Sequence, residues 1–90
     1  MKKTIITVVG KDAVGIIAAI CTYLAESSIN ILDISQTIVG GYFNMMMIVD
    51  TTASGKSFSA MSDDLRAVGE GKGVSIHCQK EEIFEQMHRI

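Results

Sequence analysis

The residues best suited to chemistry in this chain are Gly10-Lys11-Asp12-Ala13-Val14-Gly15, between a β-branched run and the start of an amphipathic one. A strand that ends in such a turn and enters a helix aims several backbone N–H groups into one small volume. The first N–H groups of a helix have no partner within it, and that end of the helix carries partial positive charge. Asp12 is placed to act as the N-cap, accepting from the N–H groups that follow it. Gly10 is read as the residue that permits a positive φ, and Gly15 as the one that leaves room for a close backbone or ligand. The chemistry this allows is the binding of a small anion, a carboxylate or a phosphate. An ordinary strand-to-helix connection meets the same spacing, because a glycine pair alone is a weak signal.

No other residue set forms a recognisable reactive constellation. His77 and His88 have no cysteine or serine partner in the pattern that nucleophilic catalysis needs, and both read as surface residues. Met45-Met46-Met47 has the softness to hold a soft metal, but packing is the more common use of methionine in an apolar run. Asp33 and Asp50 make no carboxylate pair. Arg66 and Arg89 fall in later helices, so the first loop lacks the arginine that would cradle a phosphoryl group in a small acyl-phosphate hydrolase. That loop also lacks the cysteine pair of a metallochaperone. The expectation is a protein that is not an enzyme, with no catalytic residue, no metal and no cofactor.

The elements that must position the first turn follow from hydrophobic period. Thr4 to Val9 is a β-branched run and reads as a strand, apolar on both faces and therefore central in a sheet. Ile16, Ile20 and Leu24 recur at helical spacing, with Ile17 and Cys21 beside them, and Glu26-Ser27-Ser28 ends that helix. Ile29 to Val39 is a second strand whose imperfect alternation predicts a bulge or bend. Gly40-Gly41 is a two-residue hairpin turn leading into a third strand, Tyr42 to Asp50. After a polar loop, Ser57 caps a second helix carrying Phe58, Met61, Leu65 and Val68 on one side. Gly69-Glu70-Gly71-Lys72-Gly73 is read as its end and as a flexible connection. Val74, Ile76 and Cys78 then alternate with polar residues as an edge strand, and a short C-terminal helix over about 82–90 closes the chain.

The order β-α-β-β-α-β predicts an α+β, ferredoxin-like sandwich, a four-stranded antiparallel sheet with two helices on one face. Right-handed crossovers bring the first and third strands to its centre and leave the second and fourth at the edges. Ninety residues make one domain, 1–90, and a hydrophobic fraction of 48% is high for that size, so some apolar surface is expected to be covered by another chain. A formal net charge of −2 gives no attraction to nucleic acid or an anionic membrane. An RNA platform of this fold would also need aromatics on both central strands, and the first has none. Cys21 and Cys78 lie in separate elements and read as reduced, buried thiols of a cytoplasmic protein. Lys2-Lys3 is followed by too short an apolar run for a secretory leader, and no stretch is long enough to span a membrane.

Thr7-Val8-Val9-Gly10-Lys11-Asp12-Ala13-Val14-Gly15-Ile16-Ile17, then Ala25 and Ser28-Ile29-Asn30-Ile31, resembles the ACT domain from Lys3 to about Gln79. The length and the ending Glu81 to Ile90 are similar to the stand-alone ACT proteins of bacteria and archaea, and more distantly to the ACT halves of the glycine-cleavage repressor. The resemblance implies a regulatory domain that pairs side by side as a homodimer and binds a small molecule, commonly an amino acid, at the interface. Carried over residue by residue, it implies Asp12, Ala13, Val14, Gly15 and Ile16 in the first loop and helix start, with Asn30 and Ile31 near the interface. Many ACT sequences have proline where Val14 stands; valine keeps its N–H as a further donor. The alternative is an interaction module that keeps the fold, has lost the ligand, and contacts a separate protein partner through its sheet edge or the Met45-Met46-Met47 surface.

Overall fold

In the computed structural model, residues 2–11 and 15–81 are described. They form β1 (Lys3–Lys11), α1 (Ile16–Glu26), β2 (Asn30–Val39), β3 (Tyr42–Asp50), α2 (Phe58–Lys72) and β4 (Ser75–Lys80). The four strands make one sheet in the order β2-β3-β1-β4 with every neighbouring pair antiparallel. The first and third strands are central and the second and fourth are edges, as the crossover rule requires. The C-terminal helix expected over 82–90 lies outside the described residues.

The core forms between the two helices and one face of the sheet. Ile6 and Val8 of β1, Met45, Met47 and Val49 of β3, and Ile76 of β4 meet Ile16, Ile20 and Leu24 of α1 and Met61 and Leu65 of α2. Each fully buried Ile, Leu or Met contributes about 1.5–3 kcal/mol relative to its exposed state, so the period-four apolar stripe on α1 is what docks that helix. The methionine run divides between the faces: Met45 and Met47 are buried, while Met46 lies 39% exposed on the opposite face.

Local turns follow the residue types closely. Gly40 and Gly41 take φ of 59° and 83°, the pair of positive values that a tight hairpin between twisted strands demands. A register shift between Ile31 and Asp33 makes the expected bulge in β2. Ser57 caps α2 by accepting from the N–H of Ala60 at 3.1 Å. At the end of α1, Ser27 and Ile29 donate to the carbonyls of Tyr23 and Leu24 at 3.0 and 2.9 Å, which turns the chain into β2.

The structure corrects the reading of the glycine-rich stretch after Val68. Gly69 to Lys72 continue α2, and Gly73, with φ 73°, is the C-cap. Val74 donates back to the carbonyl of Gly69 at 2.9 Å and Gly73 to that of Glu70 at 3.3 Å, closing the helix end. Gly69 is inside the helix because β4 runs against it: a β-carbon there would fall 2.8 Å from the carbonyl oxygen of Val74 and 2.9 Å from Cγ1 of Ile76. Close packing offsets the weak helix propensity of glycine at this position.

Three side chains join the two helices on their outer side. The Tyr23 hydroxyl donates to Asp64 Oδ2 at 2.7 Å, and Lys56 Nζ donates to the same oxygen at 3.0 Å. Lys56 also lies 5.0 Å from the centre of the Tyr23 ring, within cation–π range. The two hydrogen bonds hold the Asp64 carboxyl below its ordinary range, that from Tyr23 first. Burial and the Asp64 contact raise Tyr23, and the Asp64 bond raises Lys56.

Candidate ligand-binding site at the start of the first helix

The helix α1 begins later than the sequence suggests. Gly15, with φ 91° and ψ −8°, is the N-cap and its carbonyl accepts from Ala19 at 2.9 Å. The capping role expected of Asp12 therefore falls to a residue three positions on that carries no side chain to fold back over the helix end. Asp12, Ala13 and Val14 themselves lie outside the described residues. The first turn of α1 contains no acidic residue, so nothing in that turn offsets the partial positive charge of the helix end.

The two glycines exchange the roles expected of them. Gly15 needs its positive φ, which L-residues adopt only with strain. Gly10 sits inside β1 and is absent from the positive-φ residues. Its importance is space, since a β-carbon on it would lie 2.5 Å from Cγ1 and 2.8 Å from Cβ of Val74. Val74 follows the αL cap of α2, so Gly10 lets the end of the second helix close over the end of the first strand.

That closure brings Lys72, the last residue of α2, to the start of α1. Its Nζ lies 3.9 Å from where a β-carbon on Gly15 would be. A full ammonium charge thus joins the partial charge of the helix terminus, and both favour a carboxylate or phosphate. Lys72 was missed in the sequence because the glycines around it read as a linker. The signal that finds it is Gly73 as a C-cap, which extends α2 and puts a basic residue in its last turn.

The remaining expected residues are distributed unevenly. Ile16 is buried at 2% exposure and its side chain belongs to the core. Asn30 is exposed and Ile31 half-buried, both at the start of β2. Asn30 is in register with Asp50, and Asp50 with Lys3, whereas Lys11, next to the first turn, is in register with Tyr42 and Val39. Eight strand residues, about 26 Å at 3.3 Å each, separate the two levels. One chain does not bring Asn30 and Ile31 to Gly15.

What lies beside that separation is an open edge. Almost every residue of β2 is exposed, including Leu32 at 40%, Ile34 at 44%, Ile38 at 73% and Val39 at 65%. Ile34 and Ile38 pair with buried Met47 and Phe43, so they face the helix side of the sheet but extend past the cover the helices give. Across α1, Ile17 is 38% exposed.

Other candidate chemistry is quiet. Cys21 and Cys78 are free thiols, half-buried rather than enclosed. Burial pushes the Cys78 thiol up to about 11, the direction that makes a cysteine unreactive at neutral pH. Among the described residues no three or more His, Cys, Asp or Glu side chains come together to hold a metal ion. No described helix is long and apolar enough to cross a membrane.

Strand order and helix placement define a ferredoxin-like α+β domain. The chain belongs to the ACT domain family, whose model matches residues 2–79. Domains of this family are in general small-molecule-binding regulatory modules. A UPF0237 protein of Bifidobacterium longum is 61% identical over 90 residues, the full length of both chains. An ACT domain protein from Streptococcus pneumoniae is 42% identical with a TM-score of 0.82, over 93% of this chain and 94% of that one. A protein assigned as a glycine cleavage system transcriptional repressor is 20% identical with a TM-score of 0.76, over 88% of this chain and 45% of that one. At that identity the likeness is one of fold.

Proposed function

We propose that this chain is a regulatory domain that binds an amino acid without turning it over, and does so as a homodimer. The observation that carries the reading is the Lys72 ammonium beside Gly15 at the uncapped start of α1. Ammonium and helix N–H groups together suit the carboxylate of an amino acid. Asp12, Ala13, Val14, Gly15 and Ile16 supply the turn, and Asn30 and Ile31 complete the site from a second copy. An antiparallel two-fold pairing of β2 with β2 reverses the strand ends, and so moves a second copy's Asn30 and Ile31 level with Val39 and Tyr42. In that arrangement Asn30 has both a donor and an acceptor for the ligand's amino end. Ligand held between two copies favours the paired state by its differential affinity for it, which is how a domain without catalytic groups passes on a signal.

The exposed Leu32, Ile34 and Ile38 edge supports a second reading, an interaction module that takes a strand of another protein in place of a second copy.

The test is thermal unfolding of the purified protein against the twenty amino acids. A ligand that binds only the native state raises the melting temperature when its concentration far exceeds its dissociation constant. The expected result is a rise with one amino acid or a few, lost in Lys72→Gln while the ligand-free melting temperature changes little. A rise that survives Lys72→Gln removes Lys72 from the site. Silence across the panel overturns the amino-acid reading in favour of the interaction module.

A further inference from the structure

The far end of the sheet from Gly15 holds a cavity of about 510 Å³, where the start of β1, the end of β4 and the start of α2 converge. Lys2, Lys3, Lys56 and Lys80 all line it. Those are four of the eight Lys and Arg residues in a chain whose formal net charge is −2. Among the described residues, Glu81, itself in the lining, lies 3.8 Å from Lys3, Asp64 takes Lys56 at 3.0 Å, and the Asp50 carboxylate accepts from the backbone N–H of Lys2. Lysines around one cavity favour an anion with several charges. The α2 terminus opens into the same space, with Ser57 at its rim and no acidic residue in the first turn of the helix. One wall is different in kind. Phe58 and the buried Met61 form an apolar surface, with Lys80 Nζ 5.6 Å from the centre of the Phe58 ring.

We infer that this cavity binds a small molecule bearing a di- or triphosphate, separately from the site at the start of α1. A lone carboxylate engages one or two ammonium groups, whereas a cavity lined by four lysines, in which the Lys2 and Lys80 ammonium groups have no carboxylate partner among the described residues, suits the charge of a phosphate chain, which lysine binds as a point charge. The volume is that of a small-molecule pocket. The Phe58 and Met61 wall takes the organic part of the ligand, while the lysines and the helix end take its phosphates. Lys56 belongs both to this cavity and to the contact with Tyr23 and Asp64, so a bound phosphate competes with Asp64 for it.

The experiment is isothermal titration of the full chain in phosphate-free buffer at 150 mM salt. The probes are inorganic triphosphate, ATP and GTP, with sulfate and AMP as controls. Binding of inorganic triphosphate and at least one nucleoside triphosphate is expected, with the controls silent. The Lys2→Gln/Lys80→Gln double variant, whose changes are on exposed side chains, should bind at least about tenfold more weakly, since charge-assisted contacts are lost. Lys72→Gln should bind triphosphate normally, which separates this cavity from the amino-acid site. Phe58→Leu should weaken the nucleotides and spare inorganic triphosphate; equal effects on both would overturn the role given to the apolar wall. No heat with any triphosphate, equal heat with sulfate, or full affinity in the double lysine variant would each overturn the proposal.

Discussion

Gly10 and Gly15 show how one residue type serves two physical needs a few positions apart. At Gly15 the backbone is left-handed and the missing side chain bares a helix terminus to the Lys72 ammonium. At Gly10 the dihedrals are ordinary, and what matters is the 2.5 Å that a β-carbon would leave to Val74. Gly10→Ala is therefore expected to destabilise the fold by about 1–3 kcal/mol, the cost of overpacking a site whose nearest neighbours are Cγ1 and Cβ of Val74. Trimming the obstacle should return part of that loss, so Gly10→Ala/Val74→Ala should be less destabilised than the sum of the single variants. Chemical denaturation of the four proteins checks it, and simple additivity would show that Val74 is not the obstacle. The same change should also displace the end of α2 and, with it, Lys72.

Between elements, the Tyr23, Asp64 and Lys56 cluster is the one polar tie described between α1 and α2. Its pH dependence has two limbs. Asp64 has a depressed pKa in the folded chain, so its stabilisation is present above the ordinary carboxylate range and lost as pH falls through the folded value. Lys56 and Tyr23 are both raised, so theirs is present below their ordinary values and lost as pH rises through the folded ones. Asp64→Asn should lower the melting temperature at pH 7 and shrink the drop between pH 7 and pH 3. Asp50, lowered chiefly by the Thr52 hydroxyl, keeps its own share of the acid limb in that variant. Thermal unfolding at the two pH values decides it, and an unchanged drop would mean that exposure to solvent leaves the tie without effect. Exposed ion pairs contribute little individually, so a small change in the right direction is the expected outcome.

At the scale of the whole molecule, the sheet has one edge dressed by α2 and one left bare. β4 lies against α2, with Ile76 beside Gly69, while β2 exposes Ile34 and Ile38 beyond the helices. An uncovered strand with apolar side chains invites pairing with another strand. Ile38→Lys places a charge at a position already 73% exposed, so the fold of each chain should persist while pairing is lost. Sedimentation should show a dimer for the wild type at micromolar concentration and a monomer for Ile38→Lys. The amino-acid response should vanish with the dimer, whereas triphosphate binding at the far cavity should remain. A monomeric wild type would overturn the shared site and leave the edge to a different partner.

Local pattern carried most of the architecture. Period two and period 3.6 located the described strands and helices, the crossover rule ordered the sheet, and Gly40-Gly41, Ser57 and the imperfect alternation of the second strand marked the hairpin, the cap and a bulge, which the structure places between Ile31 and Asp33. These features are legible because each depends on residues close together in the chain. The extent of α2, the exchanged roles of Gly10 and Gly15, and the arrival of Lys72 at the first turn were decided by tertiary structure. Val74 and Ile76 pack against Gly69 and Val74 packs against Gly10, which holds the end of α2 over the end of β1, whereas local propensity alone reads the glycines after Val68 as a break. The gathering of Lys2, Lys3, Lys56 and Lys80 has the same origin. Residues scattered from one end of the chain to the other share a cavity only because antiparallel register brings the start of β1 to the end of β4, and α2 begins beside them.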